Sequence, residues 1–292
     1  METNITYKVH SKENIYFGIK IIAALLGYAF IIFSIKNSLS SNQPYALVGI
    51  IYLIVIVLIL FIQMGVMVGY IRGNAVKVGY DQFPKIFEAV TRQSQALGLK
   101  QAPDVYIMQA GGVLNAFATK FMGVNYIVLY SDIADEALEN HPETLDFVIG
   151  HELGHIKRNH ILKRLLTLPS ILVPFLNSAY SRACEYTCDN IGSALSPKGA
   201  PSGLLVLAAG NKLFKQVNAK VYANQYDQIG GFWTWFSEKV STHPHLSKRI
   251  KALHNQGFEE QAPVPVFSKP VEKPVQQVKP FEEDDHNKYM PR

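Results

Sequence analysis

Two long apolar stretches near the N terminus dominate the pattern of hydrophobic and polar positions along the chain. Residues 15–35 are apolar except for Lys20, and residues 44–71 contain no charged residue. About 20 apolar residues are enough to cross the hydrocarbon core of a bilayer, and Lys20 lies near enough to one end to extend its ammonium group outward. A polar segment, 37–43, joins the two stretches. Residues 1–72 are therefore predicted to form a transmembrane helical hairpin, with helices at about 15–35 and 44–71.

Two other interpretations of these stretches are weaker. Helices in the core of a soluble protein would each need a polar face, which the second stretch lacks. A cleaved signal peptide would have a shorter apolar region and a cleavage site between small residues, and a second apolar stretch would not follow it directly. We therefore expect a multi-pass membrane protein with two spans.

The positive charges beside the spans predict their orientation. They lie mainly outside the connecting loop, at Lys8, Lys12, Lys20, Arg72, Lys77 and Lys85, whereas the loop has Lys36 alone. Cytoplasmic segments carry the excess of Lys and Arg in membrane proteins. Both ends of the hairpin and the whole chain after residue 72 are therefore predicted to face the cytoplasm from the cell membrane.

Shorter periodic segments follow the hairpin. Apolar residues at helical spacing predict helices within 73–100, from Pro142 onward, and at 203–217 and 246–255. Residues rich in β-formers, 105–108 and 126–130, with a turn at 122–125, predict a small antiparallel sheet. The expected fold is mainly α with a small antiparallel β-sheet, in a domain over residues 73–258.

Two further segments differ from this pattern. Residues 165–181 are uncharged, contain Pro169 and Pro174, and follow a basic run at 157–164. They are either a buried loop-helix or a segment that dips into the membrane surface with the basic run against lipid phosphates; both interpretations stay open. Residues 259–292 are rich in proline and cannot bury a core, so we expect a disordered tail there.

Charge and cysteine content exclude some classes of protein. The net charge is +5, but the basic residues are scattered, which disfavours nucleic-acid binding and suits a surface of anionic lipid. Cys184 and Cys188 are four residues apart, so on one helix their Cβ atoms would be about 5–6 Å apart, too far for a relaxed disulfide. We expect both to be buried hydrophobes in a reducing compartment.

The sequence His151-Glu152-Leu153-Gly154-His155 is the candidate chemical site. On a helix, the two histidines lie about 40° apart around the axis and can bind one metal ion, while Glu152 can reach a metal-bound water. This is the zincin pattern. The alternative is an amphipathic helix whose polar stripe happens to be His-Glu-His.

A catalytic zinc site usually has three protein ligands and one open position. Glu185 and Asp189 are four residues apart and share a helix face. If Glu185 binds the metal, Asp189 can accept a hydrogen bond from a ligand imidazole and fix its tautomer. An acidic helix face paired with Arg182 explains the same spacing, and both explanations stay open on spacing alone.

Four motifs together resemble the HtpX-type membrane zinc metallopeptidases, relatives of the CAAX prenyl endopeptidases and the mitochondrial Oma-type proteases. They are the His151–His155 motif, Ser181-Arg182-x-x-Glu185-x-x-x-Asp189, Asn115-Ala116-Phe117-Ala118-Thr119, and Ser241-Thr242-His243-Pro244 followed by Arg249-Ile250. The resemblance covers about residues 72–255 and the hydrophobic N-terminal region. It implies a zincin-like domain behind the hairpin.

The resemblance also implies a role for each motif residue. His151, His155 and Glu185 would bind one Zn²⁺ per chain, Glu152 would act on the water, His243 would lie near the oxyanion, Asp189 would support a ligand, and Asn115, Ala116 and Phe117 would pair with substrate. Arg249 would either polarise the site or hold two helices together. We expect His160, His245 and His254 to have no special role.

The chain departs from this family in its spans. HtpX resembles a four-span protein with a later hydrophobic pair, for which the interval between His155 and Glu185 is too short here, and a CAAX-type chamber would need many more spans. Prenylated substrates are therefore disfavoured. The expected function is a membrane-anchored zinc endopeptidase for unfolded or membrane-associated proteins, bound as extended strands, in quality control. The alternatives are a non-catalytic zinc-binding scaffold or sensor, and a processing protease for one partner.

Overall fold

Two helices of 30 residues begin the fold, α1 over Ser11–Ser40 and α2 over Tyr45–Asn74. The computed structural model describes residues 5–41, 45–111, 115–139, 141–255 and 257, so the tail predicted at 259–292 lies outside the described residues. At 1.5 Å per residue each helix is about 45 Å long, compared with about 30 Å for the hydrocarbon core of a bilayer. Both helices are long and apolar enough to cross a membrane.

The remaining described residues form short helices around one small sheet. The helices are α3 (Pro84–Ala96), α4 (Ser131–Glu139), α5 (Pro142–Lys157), α6 (His160–Leu166), α7 (Leu176–Leu195), α8 (Ala200–Leu213), α9 (Ala219–Gln228), α10 (Phe232–Val240) and α11 (Leu246–His254), with 3-10 turns at Leu168–Leu172 and Phe214–Gln216. The strands are β1 (Val76–Lys77), β2 (Asp104–Met108), β3 (Ala116–Phe121) and β4 (Val124–Tyr130). The predicted class, mainly α with a small sheet, is confirmed.

The sheet is mixed rather than purely antiparallel. Its strand order is β1-β2-β4-β3, with β2 and β4 parallel and the outer pairs antiparallel. The tight turn between β3 and β4, with positive φ at Met122 and Gly123, was readable from the sequence. The expectation of antiparallel pairing throughout was wrong because β4, whose residues 126–129 are all buried, takes the central position beside β2. β3 is left at the edge.

The two faces of the sheet pack against different parts of the chain. Alternate residues of β3, Ala116 and Ala118, join the core formed with α5, and Phe117 and Phe121 join a second cluster with Val68 of α2. Side chains alternate between the faces of a strand, so one sheet can serve both surfaces. The sheet therefore connects the end of α2 to the helix that carries the His-Glu-His motif.

Helices α5 and α7 touch through their backbones. A Cβ added at Gly154 would lie 3.2 Å from Cα of Cys188, and one added at Gly150 would lie 3.1 Å from Cα of Gly192. Glycine at these positions removes the side chains that would hold the two helices apart. This close approach brings residue 185 on α7 opposite the motif on α5.

The first turns of α1 pack against α7 instead of standing free in the membrane. Lys20 is 1% exposed, and its Nζ donates to Oδ1 of Asn177 at 2.7 Å. The ring of Phe17 stacks on Tyr180, with centroids 5.9 Å apart. The prediction that Lys20 extends outward was wrong because Asn177, far away in sequence, gives its ammonium group a buried acceptor.

Residues 165–175 run alongside α1 and leave their apolar side chains exposed. Oη of Tyr28 donates to the backbone oxygen of Leu166 at 3.2 Å, and an added Cβ at Gly27 would lie 2.6 Å from Cβ of Pro169. Leu165 and Leu172 are 62% and 82% exposed. Of the two open interpretations of this segment, the buried loop-helix is wrong for residues 165–175.

Candidate active site

His151 and His155 both direct Nε2 at the carboxylate of Glu185. The distances are 3.4 Å from His151 to Oε2 and 3.5 Å from His155 to Oε1. The histidines share a face of α5, and Glu185 faces them from α7. The site therefore brings together two imidazole nitrogens and one carboxylate, the donor set that the sequence predicted.

This donor set fits a divalent metal ion such as zinc, which binds histidine nitrogen and carboxylate oxygen. Cys188 is a competing donor, because its sulfur and one ligand atom from each of His151 and His155 lie within 4.8 Å of one another. However, Nε2 of both histidines faces Glu185, whereas Sγ of the buried Cys188 lies 3.8 Å from Nδ1 of His160. Glu185 is the better third donor.

Asp189 supports His151 from behind. Nδ1–H of His151 donates to Oδ1 of Asp189 at 3.0 Å, which leaves Nε2 free to face Glu185. Burial would lower the pKa of His151, but hydrogen bonds with Asp189 and Glu185 outweigh it and raise that pKa to about 10. Without metal, the ring therefore holds an extra proton between two carboxylates.

Arg249, from α11, contacts both carboxylates. Its Nε and Nη2 donate to Asp189 at 2.8 and 2.6 Å, and Nη1 lies 3.3 Å from Oε2 of Glu185. Burial would raise the pKa of Asp189, but the Arg249 charge outweighs it and lowers that pKa. Arg249 therefore links α11 to α7 through charged contacts with both carboxylates, and its charge favours their ionised forms.

The alternative role of Glu185 and Asp189 as an acidic face paired with Arg182 is wrong. Nη1 of Arg182 donates to the backbone oxygens of Glu238, Lys239 and Ser241 at 2.6, 2.9 and 2.7 Å. Arg182 thus links α7 to the end of α10 and to the start of the loop that carries His243.

His155 contacts a second histidine through its Nδ1 atom, an interaction that the sequence did not predict. Its Nδ1 lies 3.0 Å from Nδ1 of His160, and Nε2 of His160 lies 3.2 Å from Oε1 of Glu13. Burial lowers the pKa of His160 to about 4, so this ring is neutral at pH 7 and carries one N–H. If His160 donates from Nε2 to Glu13, its Nδ1 accepts from His155, and Nε2 of His155 is left free for a metal.

His160, which the sequence analysis expected to have no special role, therefore contacts a predicted metal ligand. α5 ends at Lys157, and Asn159, with φ of 53°, turns the chain so that His160 faces back toward His155. A separation of five residues is not a helix-face spacing, so no periodicity pointed to this contact. Glu13 lies 147 residues from His160, beyond the range of any local pattern.

A cleft of about 270 Å³ collects most of the predicted site residues. It is lined by Asn115, Ala116, Phe117, His151, Glu152, His155, Glu185, His243 and Arg249, together with other residues. Asp189 lies behind the cleft, where it contacts His151 and Arg249. Glu152 is buried, at 6% exposure, beside the two histidines.

His243 overhangs the cleft from the solvent side. Its Nε2 lies 3.6 Å from Oε1 of Glu185, and its side chain is 64% exposed. Its backbone N–H donates to Oγ of Ser241, which itself donates to the His243 carbonyl. His245, two residues later, instead lies 3.3 Å from Oγ of Ser237.

The free edge of β3 runs into the cleft. The backbone N–H of Tyr130 donates to the carbonyl of Asn115 at 3.0 Å, so in the antiparallel ladder residues 117, 119 and 121 also pair with β4. The N–H and C=O groups of residues 116, 118 and 120 therefore point away from the sheet. Oδ1 of Asn115 accepts the N–H of Ala116 at 2.9 Å. The ring of Phe117 packs on the other face, against Tyr130.

Comparison with known proteins finds a family match and similarity to solved structures. The profile of peptidase family M48 matches residues 81–176 and 166–256. Among solved structures, the chain is similar to S. mikatae Ste24p, with 16% identity and a TM-score of 0.45, over 85% of this chain and 67% of that one. No curated protein matches the chain.

Proposed function

The chain belongs to peptidase family M48, and from its site we propose that it is a zinc-dependent endopeptidase anchored in the membrane by α1 and α2. A metal-dependent peptidase hydrolyses peptide bonds in a polypeptide. The observation that carries the proposal is the convergence of His151 and His155 on Glu185 in one cleft with Glu152.

His151, His155 and Glu185 would hold the zinc ion. Two nitrogens and one oxygen suit a catalytic zinc, because three protein ligands leave a position for water. Zinc bound there would lower the pKa of a coordinated water and polarise the scissile carbonyl. Asp189 and His160 fix the ring orientation of the two histidines through their Nδ1 atoms.

Glu152 is the proposed general base and acid. Its side chain is buried and lines the same cleft as His151 and His155, where it would act on a water held by the zinc ion. Glu152 accepts a proton from that water and then donates it to the leaving amine. His243, at the open side of the cleft, donates a hydrogen bond to the oxyanion that develops on the substrate.

Substrate would bind as an added strand on the free edge of β3. The C=O of Ala116 and both backbone groups of Ala118 face that edge, where an extended peptide can pair with them, whereas the N–H of Ala116 is already bonded to Asn115. Strand addition relies on main-chain hydrogen bonds, so it suits many sequences provided that they are unfolded. This tolerance favours a role in protein quality control over processing of one partner.

The membrane region is proposed to be residues 1–72, with the peptidase domain at 73–258 and the segment 259–292 as a tail. The excess of Lys and Arg at both ends of the hairpin supports a cytoplasmic site. Phe17 and Lys20, within the proposed membrane region, pack against α7 of the peptidase domain. The first turns of α1 belong structurally with the peptidase domain.

Glu152→Gln in the full-length protein tests the proposal. The variant should keep its zinc, measured by elemental analysis, and should lose most cleavage of an unfolded polypeptide. Glu88→Gln, at an exposed position on α3, is the matched control and should cleave as the wild type does. Undiminished cleavage by Glu152→Gln would overturn the mechanism. Zinc bound to a wild-type protein that cleaves nothing would favour the scaffold or sensor.

A Glu152→Gln variant that carries a cross-linker distinguishes a quality-control protease from a processing protease with one partner. If many unrelated unfolded proteins are retained in the cleft, the role is quality control. Retention of one client alone would point to a dedicated processing protease.

A further inference from the structure

The tip of the β3–β4 hairpin lies beside a helix that is apolar enough to cross a membrane. The ring of Phe121 lies 5.4 Å from that of Phe61 on α2, and its Cζ would be 3.4 Å from a Cβ added at Gly65. At the turn itself, Met122 is 78% exposed and Val124 is 42% exposed. The tip thus presents apolar side chains next to the apolar helix.

The contact with α2 gives the depth of the tip. Phe61 lies 11 residues before Arg72, the first charged residue on α2, which is about 16 Å along the helix axis at 1.5 Å per residue. The uncharged part of α2 from Tyr45 to Phe61 is about 26 Å long at 1.5 Å per residue, close to the thickness of a hydrocarbon core, so the lipid surface can lie at the level of Phe61, with Arg72 outside it. A bilayer that surrounds α2 as far as Phe61 also surrounds the hairpin tip.

A second apolar segment touches α1 in the same way. Pro169 packs at Gly27 and Leu166 accepts from Tyr28, both within the apolar stretch of α1. The exposed apolar residues of this segment are Leu165, Leu166, Leu168, Ile171, Leu172, Val173 and Phe175.

Helix α10 continues this surface with aromatic residues. The ring of Phe236 lies 6.4 Å from that of Phe175, and Phe232, Trp233 and Trp235 are exposed. Tryptophan is enriched where protein meets the headgroups of a bilayer. We call residues 121–124, 165–175 and 232–236 together the apolar rim.

We propose that the apolar rim lies in the lipid surface, and that the enzyme therefore cleaves membrane-anchored polypeptides a few residues from the point where they leave the lipid. The inference rests on the proposed function, whose substrate class it names. Lipid acyl chains are the occupant because two parts of the rim pack against α1 and α2, whose own apolar side chains are largely exposed. A soluble partner would have to compete with the bilayer for the same surface.

The direction of β3 gives the distance between the lipid surface and the cleft. Phe121 lies at the lipid end of the strand, and Ala116 and Ala118 line the cleft. Three to five residues of extended strand span about 10–17 Å at roughly 3.3 Å per residue. A substrate paired with the free edge covers the same length, so its scissile bond lies about three to six residues from the lipid surface.

The two tryptophans of the chain, both in α10, allow a direct test of the seating. In nanodiscs with brominated acyl chains, the fluorescence of Trp233 and Trp235 should be quenched. With both replaced by phenylalanine, Met122→Trp should also be quenched, whereas Asp135→Trp, exposed on α4 beyond the other end of β4, should not. Absence of quenching at Met122→Trp, or a dimer that covers the rim instead, would overturn the proposal.

Cleavage of an anchored substrate tests the distance. Each substrate consists of one transmembrane helix, a spacer of 0, 5, 10 or 20 residues, and then the same unstructured sequence. The cut sites are mapped by mass spectrometry. The cut should stay at a fixed distance from the helix while its sequence changes. Cuts that follow the sequence at every spacer length would overturn the proposal.

The same unstructured sequence as a free peptide separates the two proposals. Cleavage of the free peptide without a fixed distance in the anchored series refutes the inference and leaves the peptidase function intact. No cleavage of either substrate refutes the peptidase function. Met122→Asp should cause a several-fold loss of cleavage with the anchored substrates and none with the free peptide.

Discussion

The carboxylate of Glu13, in the first turn of α1, lies 3.2 Å from Nε2 of His160, and the other nitrogen of His160 lies 3.0 Å from Nδ1 of His155. The hydrogen-bonded chain joins the helix that enters the membrane to one of the two histidines of the metal site. Arg158 also donates to Glu13, from Nε at 3.0 Å. The metal site is therefore supported on one side by Asp189 and on the other by the membrane anchor.

Replacing His160 should weaken metal binding. His160→Ala removes the acceptor of Nδ1–H of His155, so the ring loses its fixed orientation and tautomer. Loss of such a partner typically lowers metal affinity about 10- to 100-fold. Competition with a chromogenic zinc chelator measures the affinity. His254→Ala on α11 is the control, and an unchanged affinity of His160→Ala would show that the contact with His155 has no positioning role.

Glu13→Gln should also lower zinc affinity, but by less than His160→Ala does. Glutamine can still accept from His160, but it removes the negative charge that favours this direction of donation. Zinc affinity should fall less than in His160→Ala, and the double variant should resemble His160→Ala alone. Additive losses would mean that the two residues act on the metal independently.

Asp189→Asn should destabilise the protein. Arg249 is buried and would lose the closer of its two carboxylate partners, keeping only the contact with Glu185. Complete loss of the partner costs about 3–5 kcal/mol in comparable buried pairs, which is an upper limit here. The thermal unfolding midpoint in detergent should fall. Adding Arg249→Met should recover part of the loss because a buried guanidinium with only one remaining carboxylate partner is then removed. If the double variant is less stable than Asp189→Asn, the pairing explanation fails.

Gly192→Ala tests the close packing of α5 on α7. The added Cβ would lie 2.9 Å from the backbone oxygen of Phe147, so the helices must separate slightly. Overpacking of this kind costs about 1–3 kcal/mol, and zinc affinity should fall because Glu185 moves away from the histidines. Gly18→Ala, with nothing within 4 Å of its Cβ, is the control and should leave both properties unchanged.

Metal uptake should release a proton. His151 has a pKa raised to about 10 in the metal-free site, so at pH 7–8 it must lose a proton before Nε2 can bind zinc. Apparent zinc affinity should therefore rise with pH below this value. Titration calorimetry in two buffers of different ionisation enthalpy measures the released protons. A proton count of zero would show that His151 is neutral before zinc binds.

The sequence was most informative where chemistry and local geometry coincide. His151 and His155 on one helix face, the turn before β4 and the apolar stretches of α1 and α2 all follow from short-range periodicity. Sequence spacing also placed Glu185 and Asp189 on one face of α7. Spacing could not decide which arginine pairs with those carboxylates. In the structure Arg249 pairs with them, whereas Arg182 donates to backbone oxygens instead.

Long-range contacts explain the rest. The parallel pairing of β2 with β4 depends on which strand of a hairpin is more apolar, and the hairpin alone does not specify this. The burial of Lys20 depends on Asn177, and the role of His160 depends on a reversal at Asn159 together with a carboxylate on α1. None of these partners has a characteristic spacing, so only the assembled tertiary structure reveals them.

The position of Arg249 late in the chain has a consequence for biosynthesis. As the chain emerges from the ribosome, both motif histidines and their facing carboxylate are made well before α11, and until then Asp189 and Glu185 lack the guanidinium that pairs with both of them in the buried site. The site is therefore completed only when nearly the whole peptidase region has been translated.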